Sequence, residues 1–316
     1  MRHELGSDNV YLTSSGRGAI ILSLRAAGIG RNDEVFVPPF LSACVLDSIV
    51  RGGTPTLHFT KETKAVLLYH HWGYAQNFEA IKKRLAQREI VVVEDCAHGF
   101  WGETNKTKIG SFGDTAIMSL SKIFKTTYVG AVKINNGRYS QSILNDLGQR
   151  TSPREHFEHL LGEMIYLSYY RNLKRSKSRK SDEINMNRWY STLLLFPKFK
   201  GIRGYVPTTS QDALKVFERQ NQNFLFLLDR LGRSFLLKGD NLSSMAPLCY
   251  PFMSEDQNTL AQAVEWLERR GIRTGIYHFD VRRNMFDPLY TKCVPLPLHC
   301  SIDREVLHSF AGAFKG

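Results

Sequence analysis

The stretch VVVEDCAHGFWG, residues 91–102, passes from three valines directly into two carboxylic acids. The run EIVVVEDC is apolar up to these acids, which is typical of a strand in a parallel sheet that is covered on both faces. An isolated buried carboxylate is costly, so Glu94 and Asp95 are expected to have partners that make their charges useful. The sequence therefore predicts a buried strand with a polar site at its carboxyl end.

Apolar runs and helix-like segments alternate on both sides of this strand. Such βαβ alternation implies an α/β domain, in which right-handed crossovers place the strands parallel. Ligands of open α/β sheets bind beyond the carboxyl ends of the strands, where Asp95 and Lys122 are both expected. The predicted elements are helices at residues 16–28, 44–53 and 77–88, and strands at residues 33–40, 54–59, 65–70, 89–96, 115–122 and 129–136.

The second half of the chain predicts a long helix followed by a smaller unit. Residues 210–233 have a long helical pattern suited to linking two domains. Beyond them, strand, helix and strand patterns and a last helix capped by Asp303 indicate a smaller α/β unit. We therefore predict a large domain at residues 1–230, including the linking helix, and a small C-terminal domain at residues 231–316.

The bulk properties predict a cytoplasmic protein. The 316 residues are 42% hydrophobic, and neither a secretory signal nor an apolar run long enough for a membrane span is recognisable. The five cysteines are scattered and lack metal-ligand spacing. They indicate reduced thiols and predict no metal site.

The net charge of +12 is partly concentrated in residues 171–180, RNLKRSKSRK, which contain six basic residues and no acid. This segment predicts a solvated helix end or loop. A contact with a membrane surface or an anionic ligand is the alternative. Neither aromatic interleaving nor a nucleic-acid-binding motif accompanies the segment, so no nucleic-acid partner is expected.

Ser119 and Lys122 form an S-x-x-K pattern at the end of a predicted strand. A lysine that is partly desolvated there has a lowered pKa and can form a Schiff base with a carbonyl. The serine could hydrogen-bond a phosphate, and Asp95 on a neighbouring strand could face a ring nitrogen that must stay protonated. Pyridoxal phosphate needs this set of groups. An ordinary surface lysine is the alternative interpretation.

In the segment TSSGRGAI, residues 13–20, small residues directly precede a predicted helix. Gly16 and Gly18 allow a close approach of the backbone, and amides at a helix N-terminus bind anions. The segment is therefore a candidate phosphate site. A glycine-rich cap without a ligand is the alternative.

The order of these motifs resembles the DegT/DnrJ/EryC1/StrS family of sugar-nucleotide aminotransferases. In sequence order the chain has SG-x-x-A, a V-P strand end, an H-x-x-G turn, ED-x-A-[QH], G-S-x-GD and S-x-x-K. Weaker similarity continues in NMNRWYS, RRGIRTGIYHF and VPLPLHCSIDREV, so the resemblance spans most of the chain. It implies the fold type I architecture of aspartate aminotransferase, with a mostly parallel seven-stranded sheet and a smaller C-terminal α/β domain.

The resemblance also implies which residues hold pyridoxal phosphate. Lys122 would bind the cofactor covalently, and Asp95 would pair with its pyridinium nitrogen. Ser119 and the amides of Gly16 and Arg17 would hold the phosphate.

Four further residues match the family less closely. His98 stands where the family more often has glutamine, near the cofactor's phenolic oxygen. Asn187 matches an asparagine that reaches the phosphate from the other subunit of a homodimer. His70, in the H-x-x-G turn, and His278 are candidate substrate contacts. A structural role is the alternative for His98, His70 and Asn187.

The activity implied is transfer of an amino group from glutamate to a nucleotide-linked keto-sugar, in the biosynthesis of lipopolysaccharide, capsule or an antibiotic. Lys122 would move a proton from the donor's α-carbon to the cofactor. A sugar dehydratase is one alternative, although dehydratases of this family replace the lysine with histidine. A non-catalytic relative that acts as a binding partner is another.

Three departures from the family pattern bear on these alternatives. The chain between TPTLHFT and KAVLLYHHWG is shorter than in family members. Ser42 stands where the family often has an aromatic ring over the cofactor, so Phe40, another aromatic or none would stack there. After the lysine many family members have a glycine pair, whereas this chain reads IFKTTYVGA with only Gly130. Lys125 lies close enough to Lys122 to compete for its role, but the S-x-x-K spacing favours Lys122.

Overall fold

The computed structural model describes residues 9–124, 126–127, 129–136, 139, 157, 161, 164, 168, 203–204, 210–299 and 302–314. Asn187 and the basic segment 171–180 lie outside the described residues, so the predictions for them remain predictions.

The described helices and strands largely follow the predicted order. They are β1 (Val10–Thr13), α1 (Gly16–Ala26), β2 (Glu34–Phe36), α2 (Ala43–Val50), β3 (Thr54–Thr56), β4 (Thr63–Tyr69), α3 (Phe78–Leu85), β5 (Val91–Asp95), β6 (Glu103–Thr104), β7 (Thr107–Lys108), β8 (Thr115–Ser119), α4 (Leu120–Ile123), β9 (Thr126–Thr127), β10 (Gly130–Ile134), β11 (Arg203–Gly204), α5 (Ser210–Leu231), β12 (Cys249–Met253), α6 (Gln257–Glu268), β13 (Tyr277–Asp280), β14 (Tyr290–Pro297) and α7 (Arg304–Ala313).

Seven strands form the large sheet, in the order β1-β10-β8-β5-β4-β2-β3. The strands from β8 to β3 pair in parallel, which confirms the predicted α/β fold. β10 is antiparallel to both of its neighbours, so the expectation that the strand at residues 129–136 is parallel is wrong. Residues 120–129 join β8 to its neighbour β10 and contain only the single turn α4 and the short strand β9, so the chain reverses direction without a crossover helix.

Each face of the large sheet is covered by its own apolar core. On one face, Ile20 and Leu24 of α1 pack in the same cluster as Val93 and Ile117 of the central strands. On the other face, α3 contributes Phe78 and Ile81, which pack with alternate residues of the same strands. Burial on both faces explains why β5 has a continuous apolar sequence.

A smaller antiparallel sheet, in the order β12-β14-β13, forms the second unit. Its core includes Leu260 of α6 and Phe310 of α7, together with Phe224 of α5. Trp72 and Tyr74, from the loop after β4, enter the same core and so join the two units. The long helix predicted at residues 210–233 is confirmed, whereas the domain boundary at residue 230 remains a prediction.

The connection from β3 to β4 is unusually short. The two strands lie on either side of β2, yet only residues 57–62 join them. Thr60 donates a hydrogen bond to Glu34 at 2.9 Å and holds the connection against β2. Phe286, from the small unit, stacks on Phe36 of β2 with 5.2 Å between ring centroids. A contact from the second unit thus covers this side of the sheet.

Among the helices that the structure describes, none is both long enough and apolar enough to cross a membrane.

Candidate active site

Three parallel strands bring the polar residues to one edge of the sheet. Tyr69, at the end of β4, is in register with Asp95 at the end of β5. Asp95 is in turn in register with Ile117 of β8. β8 ends at Ser119, and the single helical turn α4 then carries Lys122. The site therefore lies at the carboxyl ends of the parallel strands, as predicted.

Asp95 is almost completely buried, with 1% of its surface exposed. Its Oδ1 accepts a hydrogen bond of 2.9 Å from the amide of Ala97, which orients the carboxyl group. Burial raises the pKa of Asp95, and this effect outweighs the opposing influence of the Ala97 amide and of Lys122. A cation at this carboxyl group would restore the charged form, because opposite charges favour ionisation.

Lys122 reaches solvent but is closely surrounded by protein. Burial lowers the pKa of its amine, while the negative charge of Asp95 acts in the opposite direction and Arg17 lowers it further. Lys122 and Asp95 each influence the other's pKa, so the two groups share one site. A lysine with a lowered pKa is the form that attacks carbonyl groups.

His98 is held in a single tautomer by two hydrogen bonds. The amide of Trp72 donates to His98 Nδ1 at 3.2 Å, so this nitrogen carries no proton. The Tyr69 hydroxyl lies 2.9 Å from the same nitrogen and donates to it. Burial and the charge of Lys122 lower the pKa of His98, which keeps the ring neutral. The proton is therefore on Nε2, which can donate a hydrogen bond to an oxygen of a bound group.

The predicted phosphate site forms where α1 begins beside the end of β8. Ser15 caps the helix and accepts a hydrogen bond from the amide of Gly18 at 3.1 Å. Gly16 and Arg17 begin the first turn, whose amides point out of the helix towards an anion. A Cβ on Gly16 would lie 3.0 Å from Cβ and 3.4 Å from Oγ of Ser119. The missing side chain therefore allows the helix start to pack closely against the serine.

Glu94 forms a separate buried hydrogen-bond network, which explains why a second acid stands beside Asp95 after the valines. It is fully buried, and its two oxygens accept hydrogen bonds from the amides of Gly110, Phe112 and Gly113 at 2.6 to 3.0 Å. His70 Nε2 lies 2.8 Å from Glu94 Oε1. Burial alone would raise the pKa of Glu94, but these hydrogen bonds outweigh it and lower the pKa.

His70 is occupied by protein groups at both ring nitrogens. The amide of Gln76 donates to Nδ1 at 3.1 Å, so Nε2 carries the proton and donates to Glu94. His70 is also fully buried. This geometry favours a structural role, and the substrate contact predicted for His70 has no support in it. Cys96 places its sulfur near the same two side chains, but their ligand atoms are already hydrogen-bonded.

The other candidate substrate residue, His278, lies on β13 of the small unit. It stacks on Phe40 with 4.6 Å between ring centroids, and Tyr290 packs edge-on against the same phenyl ring at 4.9 Å. Phe40 is 60% exposed and has a left-handed backbone with φ of 61°. Phe40, which the sequence offered as a candidate to stack on the cofactor, thus stacks on His278 instead. The contact of His278 with a substrate stays a prediction.

Sequence reasoning missed the contributions of Tyr69 and Cys249. Tyr69 orients His98, and burial together with the charge of Asp95 raises the pKa of its hydroxyl, which stays protonated. Cys249, at the start of β12, is close enough for Lys122 to influence its pKa. The sequence could have indicated Tyr69 as a site residue, because it lies at the end of a strand next to β5. No pattern in the sequence indicates that β12 approaches the site.

These residues fit pyridoxal phosphate at each part of the molecule. Lys122 would attach it, and Asp95 would hold a proton on the ring nitrogen. His98 would donate to the phenolic oxygen, and Ser119 together with the amides at the start of α1 would hold the phosphate. The fold and the site together define the class: α/β proteins that use pyridoxal phosphate.

A family model described as "Putative PLP-dependent aminotransferase" matches residues 4–194. This range is more than half of the 316 residues and includes every residue assigned above to the cofactor. The chain therefore belongs to this family of pyridoxal-phosphate-dependent aminotransferases.

Curated relatives with similar sequences are sugar aminotransferases. The chain is 28% identical over 166 residues to GDP-perosamine synthase of Escherichia coli O157:H7, covering 46% of each chain. It is 31% identical over 121 residues to dTDP-3-amino-3,6-dideoxy-alpha-D-galactopyranose transaminase of Aneurinibacillus thermoaerophilus, covering 33% of each. The matches thus span less than half the length of these relatives.

Solved structures share the fold over nearly the whole chain. A DegT DnrJ EryC1 StrS aminotransferase from Brucella abortus has a TM-score of 0.59 at 16% identity, covering 100% of this chain and 88% of that one. An aminotransferase from Psychrobacter cryohalolentis has a TM-score of 0.64 at 12% identity, covering 99% and 87%. The resemblance seen in the sequence motifs and the fold it implied are confirmed.

Proposed function

We propose that the protein transfers an amino group from glutamate to a keto-sugar linked to a nucleotide, in the biosynthesis of a surface glycan or an antibiotic. The observation that carries this proposal is the pairing of Lys122 with Asp95. A lysine with a lowered pKa and a buried acid influence each other at the carboxyl edge of one sheet. Such a pair suits amine chemistry on pyridoxal phosphate.

Each residue of the site has a distinct part in this reaction. When bound, pyridoxal phosphate supplies a ring that takes up the electron pair left behind when a proton leaves the donor's α-carbon. Lys122, whose amine has a lowered pKa, accepts that proton and delivers it again. Asp95 would remain an anion facing the ring nitrogen, whose positive charge would offset the cost of burying the carboxylate. His98 would donate from Nε2 and so fix the ring's orientation.

The printed names of the relatives support a nucleotide-linked sugar as the acceptor. They refer to GDP-linked and dTDP-linked amino sugars, the products of amination of a nucleotide-linked keto-sugar. The net charge of +12 is compatible with a diphosphate substrate. We further propose a homodimer in the cytoplasm, in which Asn187 reaches the phosphate of the other subunit.

A second candidate is a non-catalytic relative that acts as a binding partner. The short connection at residues 57–62 favours it, because family members carry a longer segment there. A sugar dehydratase is disfavoured by Lys122, since dehydratases of the family have histidine at that position.

Absorption spectroscopy of the purified protein tests the proposal. We expect a visible band with pyridoxal phosphate that is lost in Lys122→Ala and retained in Lys292→Ala, which removes an exposed lysine of β14. Glutamate should then change the band, and a nucleotide-linked keto-sugar should restore it with formation of an amino sugar that mass spectrometry detects.

Two results would contradict the proposal. A protein without any band at saturating cofactor would be a non-catalytic relative. A band that glutamate and a panel of nucleotide-linked keto-sugars leave unchanged would exclude transamination of these substrates.

A further inference from the structure

A cavity of about 230 Å³ lies between helices α5 and α7 in the small unit. None of the residues assigned to the cofactor lines it. Its walls are formed by Gln222, Asn223, Phe226, Arg304, Leu307 and His308. A cavity of this size admits a small molecule rather than a single water, whose share of liquid volume is about 30 Å³.

Asn223 positions Arg304 at this cavity. The residue is 2% exposed, and its Oδ1 accepts a hydrogen bond of 3.2 Å from Arg304 Nε. This bond fixes the orientation of the amide, because an arginine can only donate. Asn223 Nδ2 has almost no accessible surface and no hydrogen-bond partner among the described residues, so it faces the packed interior and not the cavity. The group that Asn223 holds ready for a ligand is therefore the guanidinium of Arg304.

The positive charge of Arg304 is not neutralised by its hydrogen-bond partners. Among the described residues, these partners are the side-chain oxygens of Asn223 and Gln222, both uncharged amides. A guanidinium group in this position attracts an anion, and it binds phosphate and carboxylate oxygens in particular.

One wall of the cavity is apolar and closely packed. The His308 ring stacks on Phe226 with 4.0 Å between centroids, and the Arg230 guanidinium lies 4.9 Å from the same phenyl ring. Leu307 is 1% exposed and closes the floor.

A second depression, of about 400 Å³, adjoins the cavity through Gln222 and Arg304, which line both. Its other described lining residues are Lys215, Glu218 and Arg219. Three cations, Arg304 included, therefore line the depression with Glu218, and Lys215 also pairs with Asp212 at 3.5 Å. The remaining excess of positive charge, from Arg219 and Arg304, raises the local concentration of anions.

We propose that the cavity between α5 and α7 is a second ligand site, separate from the cofactor site, and that it binds a small phosphate-bearing anion. The guanidinium of Arg304 donates to the phosphate oxygens, and the exposed Arg219 attracts the anion to the opening. The proposal does not depend on the proposed function, because it concerns residues outside the cofactor site.

Calorimetric titration with inorganic phosphate tests this site. The protein is saturated with pyridoxal phosphate, so that the phosphate position at Ser119 is filled, and the ionic strength is held constant. Asn223→Asp keeps the shape and the oxygen that accepts from Arg304 but replaces the donor with a negative oxygen. We expect saturable binding by the unchanged protein and about tenfold or greater weakening in Asn223→Asp.

Two further variants make the result decisive. Gln262→Glu makes the same amide-to-acid change at an exposed position of α6 and should bind phosphate like the unchanged protein. Arg219→Gln, an exposed substitution that leaves the core intact, should weaken binding several-fold even if Asn223→Asp does not fold.

The proposal is overturned if the unchanged protein shows no saturable phosphate binding, which would mean that only water occupies the cavity. It is also overturned if a folded Asn223→Asp variant binds phosphate as tightly as the unchanged protein. If Asn223→Asp does not fold, unchanged binding by Arg219→Gln overturns it.

Discussion

Successive side chains of a β-strand point to opposite faces of the sheet, and β5 uses this alternation to separate Glu94 from Asp95. Glu94 receives three backbone amides and His70, so its charge serves the packing of the loop at residues 110–113. Asp95 receives one amide and retains capacity for a cation. Two neighbouring acids thus have different roles because they face different surroundings.

Replacing Glu94 with glutamine tests the structural role of the first acid. The new NH₂ group would face amide donors of the loop, so we expect the free energy of unfolding to fall by about 3 kcal/mol or more. The matched change Glu268→Gln, at an exposed position of α6, should cost less than about 0.5 kcal/mol. Urea unfolding at neutral pH measures both, and equal stability of the two variants would refute this role of Glu94.

The lowered pKa of Glu94 also has a consequence for acid stability. A carboxyl group whose pKa is lower in the folded state stabilises the fold above its unfolded pKa of about 4.3. This contribution is lost as the pH falls through the folded pKa. Between neutral and acid pH, the free energy of unfolding should therefore fall less in Glu94→Gln than in the unchanged protein.

At the scale of secondary structure, the start of β10 packs directly against the start of α1. A Cβ on Gly130 would lie 2.2 Å from the backbone carbon and oxygen of Ser15. Because backbone atoms cannot move aside as the end of a side chain can, the contact fixes the helix start relative to the sheet. The position of the candidate phosphate site thus depends on a glycine that does not itself line it.

We expect Gly130→Ala to displace the start of α1. The free energy of unfolding should fall by about 1–3 kcal/mol, as for other overpacked positions, and the affinity for pyridoxal phosphate should fall with it. Gly312→Ala, in α7, meets no atom within 4 Å and should instead stabilise the protein by about 0.5–1 kcal/mol. Thermal unfolding and cofactor titration measure the two variants, and unchanged cofactor affinity in Gly130→Ala would contradict this account of the helix start.

Most elements could be predicted from the sequence because their patterns are local. The cap of α3 by Asn77 and that of α7 by Asp303 are examples, and both side chains accept the expected backbone hydrogen bonds. β14 was missed because Pro295 and Pro297 reduce its resemblance to a strand. The direction of β10 was missed because it depends on how the connection before it folds rather than on any pattern within the strand.

The candidate site was predictable to the extent that its residues lie at strand ends. Asp95 and Ser119 follow directly from that position. The partners of His70 were not predictable, since the amide of Gln76 and the carboxylate of Glu94 meet it only after the chain has turned back. The packing of Phe40 against His278 likewise depends on how the small unit meets the sheet.

At the scale of the whole molecule, buried polar contacts link the loop after β13 to the rest of the chain. The backbone amide of Met285 donates to Gln76 Oε1 at 3.1 Å, which connects this loop to the His70 network. Arg283 forms an ion pair with Asp240, and both side chains are almost completely buried. Within the described part of the chain, Asp240 Oδ1 and two nitrogens of Arg283 have no hydrogen-bond partners, so the pair is only partly satisfied.

Removing one partner of a partly satisfied buried ion pair should lower the free energy of unfolding more than replacing both partners. Asp240→Leu alone leaves the Arg283 charge buried and should lower the free energy of unfolding by about 3–5 kcal/mol. Asp240→Leu combined with Arg283→Met removes both charges and should recover part of this loss. Chemical denaturation measures the series, and a double variant as unstable as Asp240→Leu would show that the burial of an unpaired charge is not the cause.

The most direct test of the central claim is to identify the lysine that binds the cofactor. The protein is incubated with pyridoxal phosphate, reduced with borohydride to fix the link, digested and mapped by mass spectrometry. The shared site of Lys122 and Asp95 predicts a single adduct on Lys122. An adduct on Lys125 or on another lysine, or no adduct at saturating cofactor, would contradict the account.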